Sequence, residues 1–119
     1  MNRGAMHEMS IARNLLEVIE RYAPTNGSAR VKTVRLRIGE LAGVVPESLR
    51  FCFEVASEGT VAQGARLLIE HVPIVSRCTD CRNAFEVKEY AFICPNCNSA
   101  HVELISGNEL DVVELEVEE

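Results

Sequence analysis

Residues 31–38 read VKTVRLRI, and their alternation decides how the chain is built. Val34, Leu36 and Ile38 face one way, and Thr33, Arg35 and Arg37 face the other, which predicts a strand with one buried face. The stretch ELDVVELEVEE, at 109–119, alternates in the same manner. Val113, Leu115 and Val117 face a core, and Glu114 and Glu116 point outward. Two arginines and two glutamates at a common two-residue spacing suit neighbouring strands, where each opposite-charge pair contributes about 0.2–1 kcal/mol. Residues 31–38 and 110–117 are therefore expected in one sheet. The segment between them must leave that domain and return, which makes its cysteine-rich part, 74–105, an insertion.

Working outward from 31–38, apolar residues recur at helical spacing on both sides. MSIARNLLEVIERYA (9–23) predicts a helix with Ala12, Leu15, Leu16, Ile19, Tyr22 and Ala23 on one face, and with Ser10 or Glu8 at its start. PTNGS (24–28) turns the chain. PESLRFCFEVASEG (46–59) predicts a second helix, with Pro46 in its first turn, Leu49, Cys52, Phe53 and Ala56 as its apolar stripe, and Gly59 as its stop. Cys52 reads as a small buried hydrophobe. ARLLIEHV (65–72) is another strand, closed by Pro73. Residues 1–5, MNRGA, look unstructured and resemble an expression tag or a start placed upstream of the working one, Met6.

Composition bounds the rest. With 119 residues, 47% hydrophobic and 25% charged, the chain reads as one globular core or one core plus a small module. No apolar run approaches the roughly 20 residues of a membrane span. No apolar signal-peptide core is present, so a cytoplasmic location is expected. The net charge of −6 lies almost wholly in 106–119, which holds six acidic and no basic side chains. An acidic chain without a basic patch is a poor electrostatic match for nucleic acid.

CTDCRNAFEVKEYAFICPNC (78–97) sets the pair Cys78 and Cys81 apart from the pair Cys94 and Cys97 by twelve intervening residues. Each C-x2-C pair can offer two thiolates from one tight turn, and the intervening residues can fold back as two short strands with Phe85, Val87 and Phe92 beneath the ion. Four thiolates in a tetrahedral set suit structural zinc, with no open position for catalysis. Iron, as in rubredoxin-like electron carriers, and a redox dithiol remain alternatives. Neither pair visibly opens a helix that would lower a thiol pKa.

Among the histidines, His71 ends a strand on the face of Leu67 and Ile69 and reads as a core or rim residue. His101 is four residues past Cys97 and is a surface residue, a neighbour of the metal or a ligand for something else. His7 changes meaning if the working chain begins at Met6. The terminal amine, the His7 backbone nitrogen and its imidazole then form adjoining chelate rings, which the Glu8 nitrogen can extend. Nitrogen-rich, near-planar sets suit nickel(II) or copper(II). There is no nucleophile–base pair and no phosphate loop: IGELAG (38–43) lacks the P-loop lysine, so no enzyme activity is expected.

Taken together these stretches resemble the HypA/HybF family of hydrogenase nickel-maturation proteins. The similarity runs from Met6 nearly to the end, through MHEMSIARNLLEVIE, VKTVRLRIGELAGVVPESLRFCFE, GTVAQGARLLIE and the paired knuckles. The knuckles alone are shared with many zinc ribbons; the opening, the IGEL stretch and the ribbon in this order are specific. The resemblance implies a metallochaperone that binds nickel through Met6, His7 and Glu8, with His101 as a further candidate. It implies delivery, with a HypB-type GTPase, to the large subunit of [NiFe]-hydrogenase, and in some organisms service to urease maturation. Cys78, Cys81, Cys94 and Cys97 would hold zinc.

The implied fold is α+β: a small nickel-binding domain of two helices on a mixed three-stranded sheet, with an inserted zinc-ribbon (rubredoxin-like) module. The expected domains are 1–73 with 106–119, and 74–105. Isolated strand edges or a swapped ribbon would support a homodimer. Two features depart from the family pattern. Residues 1–5 separate the amine from His7, and Asn98 follows the second knuckle where some relatives carry a histidine. A zinc ribbon acting as an interaction or nucleic-acid-binding module is the competing reading, which the neutral charge balance of 77–101 disfavours.

Overall fold

Helix formation begins ahead of the first apolar repeat. The structure, a computed structural model, describes the backbone of residues 3–23 and 29–118, with side chains from His7 onward within those spans. Helix α1 runs Arg3–Tyr22. The expectation of an irregular start is corrected for Arg3–Ala5, which are helical; Met1 and Asn2 lie outside the described residues. Once later turns have nucleated the helix, each added residue gains one hydrogen bond, and Arg, Ala, Met and Glu extend it readily. Ser10 and Glu8 consequently lie within α1 and do not cap it. Ile11, Ala12, Leu15, Leu16, Ile19 and Ala23 are buried, but Tyr22, expected on that face, is 72% exposed. The PTNGS turn falls outside the described residues.

Strand β1 (Arg30–Gly39) buries Val31, Val34, Leu36 and Ile38 and exposes Arg35 and Arg37. A 3-10 turn (Glu40–Ala42), closed by left-handed Gly43, leads to helix α2 (Pro46–Ala56). Leu49, Cys52 and Phe53 are its buried face, and α1 packs against it. Strand β2 (Arg66–Val72) follows, with His71 exposed. Of the core and rim readings of His71 this removes the core one: the strand's burial does not alternate cleanly, and Leu67 and Val72 are its buried residues. The last strand, β6 (Leu110–Glu118), completes a sheet of order β2-β1-β6.

The charge pairing between β1 and β6 is present with a shifted partner. Arg35 Nε lies 3.3 Å from Glu114 Oε1, as the spacing predicts. Glu116 Oε1 instead accepts from the Thr33 hydroxyl at 3.0 Å, and Arg37 Nε pairs with Glu70 on β2 at 3.2 Å. As the β1 number falls by two, the β6 number rises by two, so these strands run antiparallel. A common spacing of charges fits either direction, and the antiparallel one leaves only one arginine opposite a glutamate. With β2 reached through α2, the three-stranded sheet is mixed.

The second sheet has order β4-β3-β5, from Val75–Cys78 (β3), Ala84–Glu86 (β4) and Val102–Ser106 (β5). β3 pairs antiparallel with both neighbours. Only one strand, β4, forms between the cysteine pairs, where two were expected. The second half turns tightly instead, with Ala91 N–H donating to Lys88 carbonyl at 3.0 Å and Glu89 and Tyr90 both left-handed. Val87 is buried, while Phe85 and Phe92 are half-buried.

The chain divides into two compact units. One comprises the described residues up to Arg37, Val44–Glu70 and those from Asp111 on; the other comprises Ile38–Gly43 and His71–Leu110. Within the second, a crossing of main chains explains the glycine of IGEL. Gly39 N–H donates to Glu109 carbonyl at 2.8 Å and Leu41 N–H to Gly107 carbonyl at 2.7 Å. A Cβ on Gly39 would stand 2.0 Å from the Gly107 oxygen, so only glycine permits this approach.

Candidate metal sites

Two copies of one backbone device build the cysteine site. Cys78 carbonyl accepts from Arg82 N–H at 2.8 Å, and Cys94 carbonyl accepts from Asn98 N–H at 2.8 Å. Cys78 N–H donates to Asn83 carbonyl at 2.9 Å, and Cys94 N–H to Ser99 carbonyl at 2.8 Å. Arg82 (φ 66°) and Asn98 (φ 62°) occupy the matching left-handed position that reverses each knuckle. In consequence all four sulfurs lie within 4.8 Å of one another, with Cys78 and Cys94 buried and Cys81 and Cys97 exposed. Cys78 Sγ lies 3.6 Å from Cys97 Sγ, and Cys81 Sγ lies 3.5 Å from Cys94 Sγ.

Four sulfurs this close cannot all ionise unaided, because each thiolate repels the next. The Asn96 side-chain amide, together with a backbone hydrogen bond at Asn83, favours the Cys81 thiolate and lowers its pKa to about 6. At Cys97 a backbone hydrogen bond at Ser99 works in the same direction. Contact with Cys78, burial and the remaining sulfurs outweigh it and push Cys97 up to about 12. A divalent cation bound here must displace the proton on Cys97, and it supplies the charge that lets four thiolates coexist. That donor set, soft and closed, fits zinc.

At the chain's other candidate site, consecutive residues part company. His7 is exposed on α1, whereas Glu8 is fully buried. Glu8 Oε2 accepts a hydrogen bond from Val45 N–H at 2.8 Å, and Oε1 has no partner among the described residues. Val45 is the N-cap residue of α2 and has no side-chain cap of its own. A carboxylate there meets an unsatisfied donor and the positive end of the helix dipole. The Glu8 carboxylate thus anchors α1 to the start of α2, a role that sequence periodicity does not reveal because Glu8 reads as polar. With α1 starting at Arg3, the His7 and Glu8 amides fall inside the helical hydrogen-bond ladder. The Met6 side chain lies outside the described residues.

The model of the hydrogenase/urease nickel incorporation metallochaperone family, hypA, matches residues 6–117. The chain belongs to the HypA family. The hydrogenase maturation factor HypA of Geobacter sulfurreducens is 48% identical over 113 residues, covering 95% of this chain and all of that one. The HypA of Streptomyces avermitilis is 46% identical over 116 residues, covering 96% of this chain and 88% of its own. Among solved structures, a solution structure of HypA protein superposes with a TM-score of 0.68 at 29% identity, covering 93% of this chain and 95% of that one. The nickel metallochaperone HypA of Helicobacter pylori superposes with a TM-score of 0.64 at 25% identity, over 92% and 95%. Membership of the HypA family makes the chain a nickel metallochaperone of hydrogenase maturation.

His101, the further nickel candidate, is held on the ribbon surface. Its Nδ1 lies 3.1 Å from Asp80 Oδ2, and its carbonyl accepts from the Thr79 hydroxyl at 2.9 Å. The Ser99 hydroxyl donates to the same Asp80 oxygen. The Ser99 and His101 hydrogen bonds hold the Asp80 carboxyl below its usual range. Asp80 lies in the first knuckle and Ser99 and His101 follow the second, so this group ties the two knuckles together. Sequence spacing alone does not find it, because Asp80 is 21 residues from His101. No helix among the described residues is long and apolar enough to cross a membrane.

Proposed function

We propose that this protein carries nickel(II) at Met6, His7 and Glu8 and hands it on without catalysing a reaction. The observation that carries the reading is the exposed His7 imidazole at the second position of the family match, beside a carboxylate that fixes the helix beneath it. Glu8 contributes its backbone nitrogen to the ion and its side chain to the anchor, since that carboxylate is already engaged at Val45. In the 119-residue chain, amide chelation must compete with the helical hydrogen bonds that begin at Arg3. A chain starting at Met6 has a terminal amine in place of those bonds, and chelates more tightly.

The donor chemistry of Cys78, Cys81, Cys94 and Cys97 supports a structural zinc in 74–105, while 1–73 with 106–119 forms the nickel domain. Family membership supports transfer with a HypB-type GTPase to the [NiFe]-hydrogenase large subunit, and service to urease where that enzyme is present. The cytoplasm is the compartment for such a transfer. X-ray absorption at the nickel edge, on the chain trimmed to Met6 and loaded with zinc and then nickel, tests the ligand set. Nitrogen and oxygen donors with imidazole scattering are expected. A nickel–sulfur shell would move the cargo to the cysteines and overturn the assignment.

A further inference from the structure

Strand β6 is the outer strand of its sheet, and among the described residues no strand pairs with its far side. Nine residues make a long edge, and an open edge offers unpaired N–H and C=O groups to any extended chain. None of the nine is buried. The face carrying Val113 and Leu115 is only partly covered by α1: Val113 is 51% exposed and Tyr22 on α1 is 72% exposed. Between Val18 and Tyr22 on one side and 112–115 on the other lies a groove of about 320 Å³.

Charge selects the occupant. Residues 106–119 carry six acidic side chains and no basic one. Arg35 engages Glu114 and Thr33 engages Glu116, whereas Asp111 and Glu118 have no ion pair among the described residues. A second copy added through β6 would set acidic side chains against acidic side chains, which destabilises a strand pair. A segment with lysine or arginine at alternate positions avoids this. Its basic face would lie beside Glu114, Glu116 and Glu118, and its apolar face beside Val113 and Leu115 over the groove. Main-chain hydrogen bonds to the free edge would supply the register.

We infer that the β6 edge, with the groove beside α1, is a docking site for an extended segment of a partner protein that alternates basic and apolar residues and joins the sheet as an added strand. This surface does not depend on which residues hold nickel.

The test uses the whole chain, ¹⁵N-labelled, and a short capped peptide of alternating lysine and valine as probe. Shift changes are expected at Leu110–Glu118, Val18 and Tyr22, and they weaken with salt. The double variant Glu116→Lys, Glu118→Lys loses about tenfold in affinity for this peptide and gains binding of a glutamate–valine peptide. Tyr22→Ala, which alters only the groove, also weakens binding and covers the case in which the double variant does not fold. Shift changes confined to other surfaces, no changes, or equal binding of both peptides by the unsubstituted protein would overturn the proposal. So would a concentration-dependent dimer that protects the β6 amides from exchange, which would assign the edge to a second copy.

Discussion

Glu8 shows how one side chain separates binding from positioning. Glu8→Ala removes the acceptor of a Val45 N–H and leaves a gap in a buried place. The expected loss is about 1–3 kcal/mol of stability, read by urea unfolding of the metal-loaded protein. Glu8→Gln keeps an acceptor oxygen at Val45, retains most of the stability, and leaves nickel affinity close to that of the unsubstituted chain because the backbone nitrogen remains. If Glu8→Gln instead abolished nickel binding while remaining folded, the carboxylate itself would be the ligand. A second test at this scale is Arg82, held at φ 66° where a side chain costs about 1–2 kcal/mol. Arg82→Gly is expected to raise the unfolding midpoint, and Asn98→Gly, at the matching position of the other knuckle, to change it little, because asparagine already tolerates that conformation. The clustering of the four cysteines could be read from their spacing, and His7 stood out as a candidate by residue type. The partner of Glu8 could not, because it depends on how α1 and α2 meet, 37 residues apart in the chain.

At the scale of elements, the glycine of IGEL and the glycine of SGN act as a pair. Gly39→Ala would drive a Cβ to 2.0 Å from the Gly107 oxygen, and Gly107 itself adopts φ 120°, open to glycine alone. A loss of at least about 3 kcal/mol is expected for Gly39→Ala. Gly43→Ala meets no neighbour and carries only the left-handed strain, so it should cost about 1–2 kcal/mol. Comparative chemical denaturation checks the ranking, and equal losses would remove the crossing as its cause. The sheet containing β1 and β6 was legible in sequence because burial on one face of β1 enforces a period of two, and β6 repeats that period with half-buried Leu115 and Val117. The partners of Arg37 and Glu116 were not, since the same spacing fits either strand direction. The start of α1 was also hidden. Apolar periodicity reports the apolar face of a helix, and Glu8, buried just ahead of Met9, is polar and adds nothing to that period.

For the whole molecule, the metal at the ribbon is a folding element as well as a cofactor. Few apolar residues are buried in the second unit, chiefly Ile38, Val72, Ile74, Val87 and the inner cysteines, so the ion adds to a small core. Binding at neutral pH must displace the proton that Cys97, near 12, still holds, while Cys81, near 6, is already mostly thiolate. Metal retention is therefore strongest at neutral to alkaline pH and falls as acid returns protons to the sulfurs. Zinc release followed with a chromophoric chelator should rise as acid protonates the four sulfurs, with loss of dispersed amide signals from 74–105. Retention of those signals in the metal-free chain at neutral pH would show that the ribbon folds without the ion. That β1 and β6, so far apart in the chain, share one sheet could be inferred from charge patterning. The clasp of Asp80, Ser99 and His101 arises only once both knuckles share one centre.

Nickel binding at the chain's beginning is the central claim, and calorimetric titration tests it most directly. The zinc-loaded 119-residue chain, the same chain trimmed to begin at Met6, and the trimmed chain carrying His7→Ala would be titrated with nickel(II) under one set of conditions. Tighter binding on trimming, abolished by His7→Ala, is the predicted result. Equal binding by all three would contradict it and place the nickel site away from His7.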